Sequence, residues 1–345
     1  MTASRAIAEK LLEWYDRNAR RLPWRVPRGG GTADPYRVWL SEVMLQQTTT
    51  AHAAPFFAAF TERWPTVQAL AGAPEADVMA AWAGLGYYSR ARNLVACARE
   101  VAKRGGFPDN EDELRRLPGL GAYTAAAVAA IAFGKRAVVI DANVERVVAR
   151  LFAIGEPLPG GKPAIRAAAE QITPDLRAGD FAQAMMDLGA TICTPRDPKC
   201  LLCPLAPDCA GRATGEPARF PVKGPKRTRP SRIGTAFWIE RDGAVWLVRR
   251  PAKGMLGGMR ALPDDGWSAR AEGSGDAPLA GSWRAGGVVR HGFTHFDLEL
   301  GVAIYTGAQW DELQGVGEWW PAAEIEAAGL PTLFAKAARL VVAAA

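Results

Sequence analysis

No stretch of this sequence approaches the roughly 20 consecutive apolar residues that cross a bilayer, which argues against a helical membrane span. The opening segment MTASRAIAEKLLEWYDRN lacks the continuous apolar core of a secretion signal and is expected to be an amphipathic helix. The expectation is a soluble, cytoplasmic protein without a membrane partner. No internal repeat is present, so the chain is not a repeat array. Charge of one sign is also limited. A net charge of +6 permits an anionic partner without requiring one. Strand-like alternation is almost missing before residue 210. Cysteine is scarce and uneven: Cys97 stands alone in a helix-like stretch, while Cys193, Cys200, Cys203 and Cys209 fall within one short segment. In a reducing compartment such a cluster suits metal better than disulfides.

What is present divides into two parts. Residues 1–212 read as successive helices. Phe181, Ala184, Met185, Leu188 and Ile192 share one face at helical spacing, as do Val144, Val147, Val148, Leu151 and Phe152. The alanine-rich run Thr124–Phe133 is a strong helix former with small side chains that permit close packing. Residues 213–231, rich in proline and basic side chains, read as an extended linker in contact with a polyanion. Beyond it, IGTAFWIE and AVWLVRR alternate with period two around Arg241-Asp242-Gly243, which predicts a hairpin. VVRHGFTHFDLELGVAIY continues as strand, loop and strand. Short helices near 322–328 and 331–344 close an α+β domain over 232–345.

Four local features carry chemistry. The spacing Cys193-x6-Cys200-x2-Cys203-x5-Cys209 places four thiolates in one loop, enough for a tetrahedral zinc or a cubane cluster. Common zinc modules use two separated C-x2-C knuckles, whereas this single compact loop suits a cluster wrapped by one turn of chain. Arg196 and Lys199 between the ligands can face a phosphate. In LPGLGAYT, Gly119 and Gly121 permit a tight turn and leave amides open at a helix N-terminus, a phosphate site. Asp141 ends an apolar run and begins a helix, so it suits an N-cap as well as a catalytic charge. Glu42, among apolar helix residues, is either at the surface or in a pocket that raises its pKa, as a general acid requires.

The cysteine spacing, the L-P-G-x-G-x-[YK]-T hairpin and the V-D-x-N-V string resemble the endonuclease III superfamily of DNA glycosylases. S-E-V-M-L-Q-Q-T around Glu42 is similar to its adenine glycosylase branch. The resemblance implies an all-α helix–hairpin–helix glycosylase with a [4Fe-4S] loop, followed by an α+β Nudix-like domain. It divides the helical part into a six-helix module over about 30–135 and a cluster module of 1–29 plus 136–212. It implies catalytic roles for Glu42, Asp141, Tyr123 and Asn143, and an adenine pocket of Arg20, Trp24, Arg25, Leu45, Gln183 and Met186. Tyr123 stands where strand-cutting relatives carry a nucleophilic lysine, so base removal without strand cleavage is implied. Gln47 and Tyr88 are placed beside the orphaned guanine, and core packing suits Tyr87 better than Tyr88. The partner implied is double-stranded DNA carrying adenine opposite 8-oxoguanine or guanine, in a nucleoid-associated monomer whose linker is a place for repair-protein partners. One departure is a long loop at 26–33 where the family passes quickly from W-R to D-P-Y.

The C-terminal part resembles the Nudix-like domain with which adenine glycosylases sense 8-oxoguanine. Phe293, Thr294 and His295 match the family's F-S-H loop, with threonine keeping the hydroxyl donor and adding a methyl. ALPDDGWSARAEGSGD has no R-E-x-x-E-E string, so magnesium-dependent hydrolysis is not expected there. The competing functions are a thymine or uracil mismatch glycosylase, a lesion sensor that does not cut, and a nucleotide-pool hydrolase.

Overall fold

In the computed structural model, residues 3–27, 29–225, 228–251, 254–307, 313 and 316–343 are described. Arg28 of the long loop, Lys226 and Arg227 of the linker, and Ala344 of the last expected helix lie outside them. The chain forms two compact units, Met1–Pro225 and Lys226–Ala345, and the division falls inside the proline-rich segment.

The first unit is helical among the described residues. α1 (Ala3–Asn18) is followed by α2 (Pro35–Leu45), α3 (Thr50–Arg63), α4 (Val67–Gly72), α5 (Glu75–Ala81) and α6 (Ser89–Arg104). After α7 (Glu111–Leu114) come α8 (Ala122–Phe133), α9 (Ala142–Leu151), α10 (Lys162–Ile172), α11 (Ala178–Thr191) and α12 (Ala210–Ala213). Capping fixes several starts: Asp34, Thr49, Thr66, Asn110 and Asp141 each accept a hydrogen bond from a first-turn amide. One continuous apolar core runs from Ile7 to Phe220. The fully buried rings of Trp39, Phe57 and Trp82 each stabilise it by about 1.5–3 kcal/mol. α8 is buried on every side, from Thr124 through Ala130 and again at Ala132. Its small side chains let α2, α7 and α11 approach it together.

The start of the expected linker is folded onto this unit. Phe220 is buried, its carbonyl accepts from Arg150 Nε at 3.0 Å, and Leu158 N donates to Val222 O at 2.9 Å. The extended character read from the prolines therefore belongs to anchored chain as far as Pro225.

The second unit holds two sheets. β1 (Ser231–Trp238) pairs in parallel with β6 (Asp297–Tyr305), which pairs antiparallel with β5 (Trp283–Gly292). In the other sheet β3 (Ala244–Arg249) pairs with β2 (Glu240–Arg241), β4 (Arg260–Ala261) and β7 (Gly317–Pro321). The expected hairpin is confined to β2 and β3 around Asp242 and Gly243, both at positive φ. β1 pairs in the first sheet instead, and Phe237, Trp238 and the following Ile239 are buried in succession. Alternation reports which face a side chain takes and carries no information about the partner strand. Segment 322–328 winds as a 3-10 helix, and α13 (Thr332–Val342) lies on β5 and β1. No helix lies between Ala261 and Trp283 among the described residues.

Candidate active site

A cavity of about 510 Å³ opens where α2, the start of α8, the start of α9 and α11 converge with the 20–25 segment. Glu42, Tyr123, Asp141, Asn143, Arg20, Trp24, Arg25, Leu45, Gln183, Met186 and Gln47 all line it. Residues more than 140 positions apart in sequence are thus brought to one pocket.

Glu42 is buried on α2. The Tyr123 hydroxyl donates to its Oε2 at 2.6 Å. Burial raises the Glu42 carboxyl from 4.5 to about 7, against the lowering effect of the Tyr123 bond; the Asp141 charge adds to the rise and Arg25 opposes it. Burial, reinforced by Glu42 and Asp141, also drives the Tyr123 hydroxyl well above its ordinary value, so it remains a donor. Asp141 both caps α9 and faces the cavity. Its Oδ1 accepts from Val144 N at 2.7 Å and its Oδ2 from Asn143 Nδ2 at 2.9 Å. Asn143 in turn accepts from Arg146 Nη2 at 2.9 Å through its Oδ1. A Cβ on Gly189 of α11 would stand 2.6 Å from that of Asn143, so only glycine lets the helices close here. The carboxyl groups of Glu42 and Asp141 thus face the same space.

The 20–25 segment is strapped to α11 by Asp187, which the sequence reading passed over. Its side chain is fully buried and accepts from Arg25 Nη1 at 2.6 Å, Arg25 Nη2 at 2.8 Å and Arg20 Nε at 2.5 Å. An acid within the apolar string AMMDLGA was the available signal, read beside the basic string RRLPWR. Asp187→Ala leaves two guanidinium groups without their acceptor and is expected to lower stability by about 3 kcal/mol. Urea unfolding of the purified chain measures this, and an unchanged midpoint would refute it.

The hairpin between α7 and α8 takes the expected form. Gly119 has φ +75° and sits where a Cβ would lie 2.6 Å from Asn93 Cβ, so glycine is required twice over. Gly121 caps α8 without a side chain, leaving its first amides uncovered. In the 84–90 loop the roles of the two tyrosines are exchanged. Tyr87 is 61% exposed at φ +49°, whereas Tyr88 is half-buried against the helical core. Core packing therefore falls to Tyr88, because the left-handed backbone at Tyr87 turns that ring outward. Gln47 is also left-handed, at φ +59°.

The four cysteines line one pocket beside Arg150, which donates to Cys193 Sγ at 3.3 Å and to the Thr194 carbonyl at 2.7 Å. Among the described residues no three His, Cys, Asp or Glu side chains close onto a single ion. A mononuclear zinc needs its sulfurs about 2.3 Å from one point, whereas a cubane carries each ligand on a separate iron. The all-thiol donor set around one pocket fits a metal group held by thiolates. Arg196 and Lys199 are exposed. In the second unit Phe293 N donates to Phe296 O at 2.8 Å and their rings stack at 4.8 Å, leaving Thr294 and His295 exposed at the tip of the β5–β6 turn.

Residues 40–174 match the family described as HhH-GPD superfamily base excision DNA repair protein, and residues 235–340 match the NUDIX domain. The adenine DNA glycosylase of Buchnera aphidicola is 36% identical over 248 residues, covering 70% of this chain and 69% of that protein. The chain belongs to the adenine DNA glycosylase family. The Mycolicibacterium smegmatis adenine DNA glycosylase is 43% identical over 61% of this chain and 70% of its own length. The human one is 35% identical over 76% of this chain, which spans 58% of that longer protein. A thermostable thymine-DNA glycosylase structure superimposes with a TM-score of 0.55 at 32% identity, over 61% of this chain and 97% of its own. Endonuclease III bound to DNA shares the fold at a TM-score of 0.51 and 23% identity, over 62% of this chain and 99% of its own. No helix among the described residues of this adenine glycosylase family member is long and apolar enough to cross a membrane.

Proposed function

We propose that this protein removes adenine paired with 8-oxoguanine or guanine in double-stranded DNA and leaves an abasic site. The observation that carries the reading is the buried Glu42 carboxyl, raised to about 7 and held by Tyr123, in one pocket with Asp141. Adenine is a poor anionic leaving group, and protonation at N7 makes it a neutral one. An extruded adenine in the cavity receives that proton from Glu42. The bond from N9 to the sugar then breaks with its electron pair going to the base. The positive charge left on the sugar is stabilised by the Asp141 carboxylate, oriented by Asn143. Water adds to the sugar and its proton leaves to solvent or Glu42. Tyr123 supplies a hydrogen bond and no amine, so the DNA backbone stays intact.

Arg20, Trp24, Arg25, Leu45, Gln183 and Met186 form the adenine pocket, with Gln183 able to pair with a base edge. Gln47, Tyr87 and the amides after Gly119 and Gly121 meet the duplex, and Arg196 and Lys199 meet phosphates. Cys193, Cys200, Cys203 and Cys209 would hold a [4Fe-4S] cluster, which when bound supplies the loop with a rigid centre. Phe293, Thr294 and His295 are the 8-oxoguanine reader. The protein acts where chromosomal DNA is, as a monomer.

The test is single-turnover excision on duplexes with adenine opposite 8-oxoguanine, with and without alkali before the gel. Breaks that appear only after alkali are expected. Release of thymine or uracil from mispairs with guanine, and none of adenine, would assign the chain to mismatch repair of pyrimidines instead.

A further inference from the structure

Two non-glycine residues on one side of the helical unit share an uncommon backbone: Gln47, at the turn ending α2, and Tyr87, in the 84–90 loop. Left-handed conformations at such residues cost of order 1–3 kcal/mol each, and they persist where their surroundings enforce them. The same side chain enforces both. Arg90 in the first turn of α6 is buried, and its Nη1 donates to the carbonyls of Val43, Met44 and Gln46, at 2.9, 3.1 and 2.5 Å. Its Nη2 donates to the carbonyls of Leu85 and Gly86, at 3.0 and 3.2 Å. The last carbonyl in each set directly precedes the left-handed residue. The guanidinium also lies 5.5 Å from the Tyr87 ring and 5.3 Å from that of Trp82. Among the described residues it forms no ion pair, so this buried cation is engaged by backbone and rings.

We propose that Arg90 is a positioning residue that locks the Gln47 turn and the exposed Tyr87 ring into one rigid probe, so that insertion of Tyr87 into the duplex and extrusion of the target base occur together. The inference rests on the excision reading above. A planar fork with donors on two nitrogens can satisfy two separate carbonyl sets at once, and a lysine ammonium cannot span both. Five carbonyl oxygens would otherwise lose a donor inside the fold, which explains why a cation is tolerated there.

The experiment compares wild type, Arg90→Lys, Tyr87→Ala and the double variant on two duplexes. One carries adenine opposite 8-oxoguanine; the other carries adenine opposite an abasic site, where no pair holds the base in the helix. Small misplacements remote from chemistry can cost ~10²-fold, and Arg90→Lys is expected to lose at least about 10-fold in excision on the first duplex. On the second duplex the loss should shrink to a few-fold, because extrusion is easier there. The double variant should be no slower than Tyr87→Ala alone, because both changes disable one device. Equal losses on both duplexes, or additive losses, would mean that Arg90 only holds the fold, and melting curves would then show the same deficit. Arg90→Lys matching wild type overturns the inference while leaving the excision reading intact. Wild type that releases no adenine from either duplex overturns both.

Discussion

Glu42→Gln is expected to slow single-turnover adenine release by about 10²–10⁴-fold, the range for a lost general acid. The same variant should be more stable than wild type at alkaline pH. The folded carboxyl takes its proton at about 7 instead of the ordinary 4.5, because burial opposes ionisation. Between those two values the folded state binds more protons than the unfolded chain, so stability falls as pH rises through this window. The full difference is worth up to about 3 kcal/mol above pH 7. Glutamine is neutral throughout and can still accept from Tyr123, so the variant escapes this loss. Melting curves at pH 5 and pH 8 should show a gap between the two proteins that opens only at the higher pH. In wild type, excision should decline about tenfold per pH unit above roughly 7, as the acid form of Glu42 is depleted. A variant with normal release, or with the same melting gap at both pH values, would remove Glu42 from the role of acid.

Asp141→Asn separates the two duties of its residue. Asparagine caps helices about as well as aspartate, and its side-chain oxygen can keep the bond from Val144 N. Only the bond from Asn143 Nδ2 is given up, so the melting temperature should fall by less than a lost cap would cost. The charge facing the developing positive sugar is lost, and losses of preorganised electrostatic groups run at about 10²–10³-fold. Release should fall by that amount with little change in binding of the duplex, measured by gel shift in the absence of turnover. A drop in stability equal to a lost cap, with release intact, would show that Asp141 serves only α9.

Most of the pocket was legible because its members sit in short strings with local geometry. Glu42 falls in an apolar helical string that left it at the surface or in a pocket, and its burial decides for the pocket; Asp141 falls at a helix start. What escaped depends on contacts across the fold. Asp187 looks like an ordinary polar position on α11 until the 20–25 segment folds over it. Arg90 sits in the basic string SRARN, and nothing there tells which arginine turns inward. The exchange of Tyr87 and Tyr88 hangs on one φ angle that composition does not report. In the second unit, the alternation of IGTAFWIE identified a strand, but its partner β6 lies more than 50 residues away, beyond the reach of a local pattern. The proline-rich stretch 213–231 contains the division between the two units, after Pro225, while the burial of Phe220 anchors its first part to the helices.

The helix that carries Tyr123 has a consequence for the gene itself. An adenine left opposite 8-oxoguanine becomes, after replication, a thymine where guanine had been. In an alanine codon, GCN, that transversion has two outcomes: serine if the first base changes, aspartate or glutamate if the second pair does. Seven of the twelve residues of α8 are alanine and the helix is enclosed on every side, so the second outcome at a buried one places a carboxylate among apolar neighbours. On the proposed function, the lesion this protein clears is one that can write such a change into a buried helix of its own active-site unit, and a lineage that lost the activity would then accumulate the very substitutions that prevent its return.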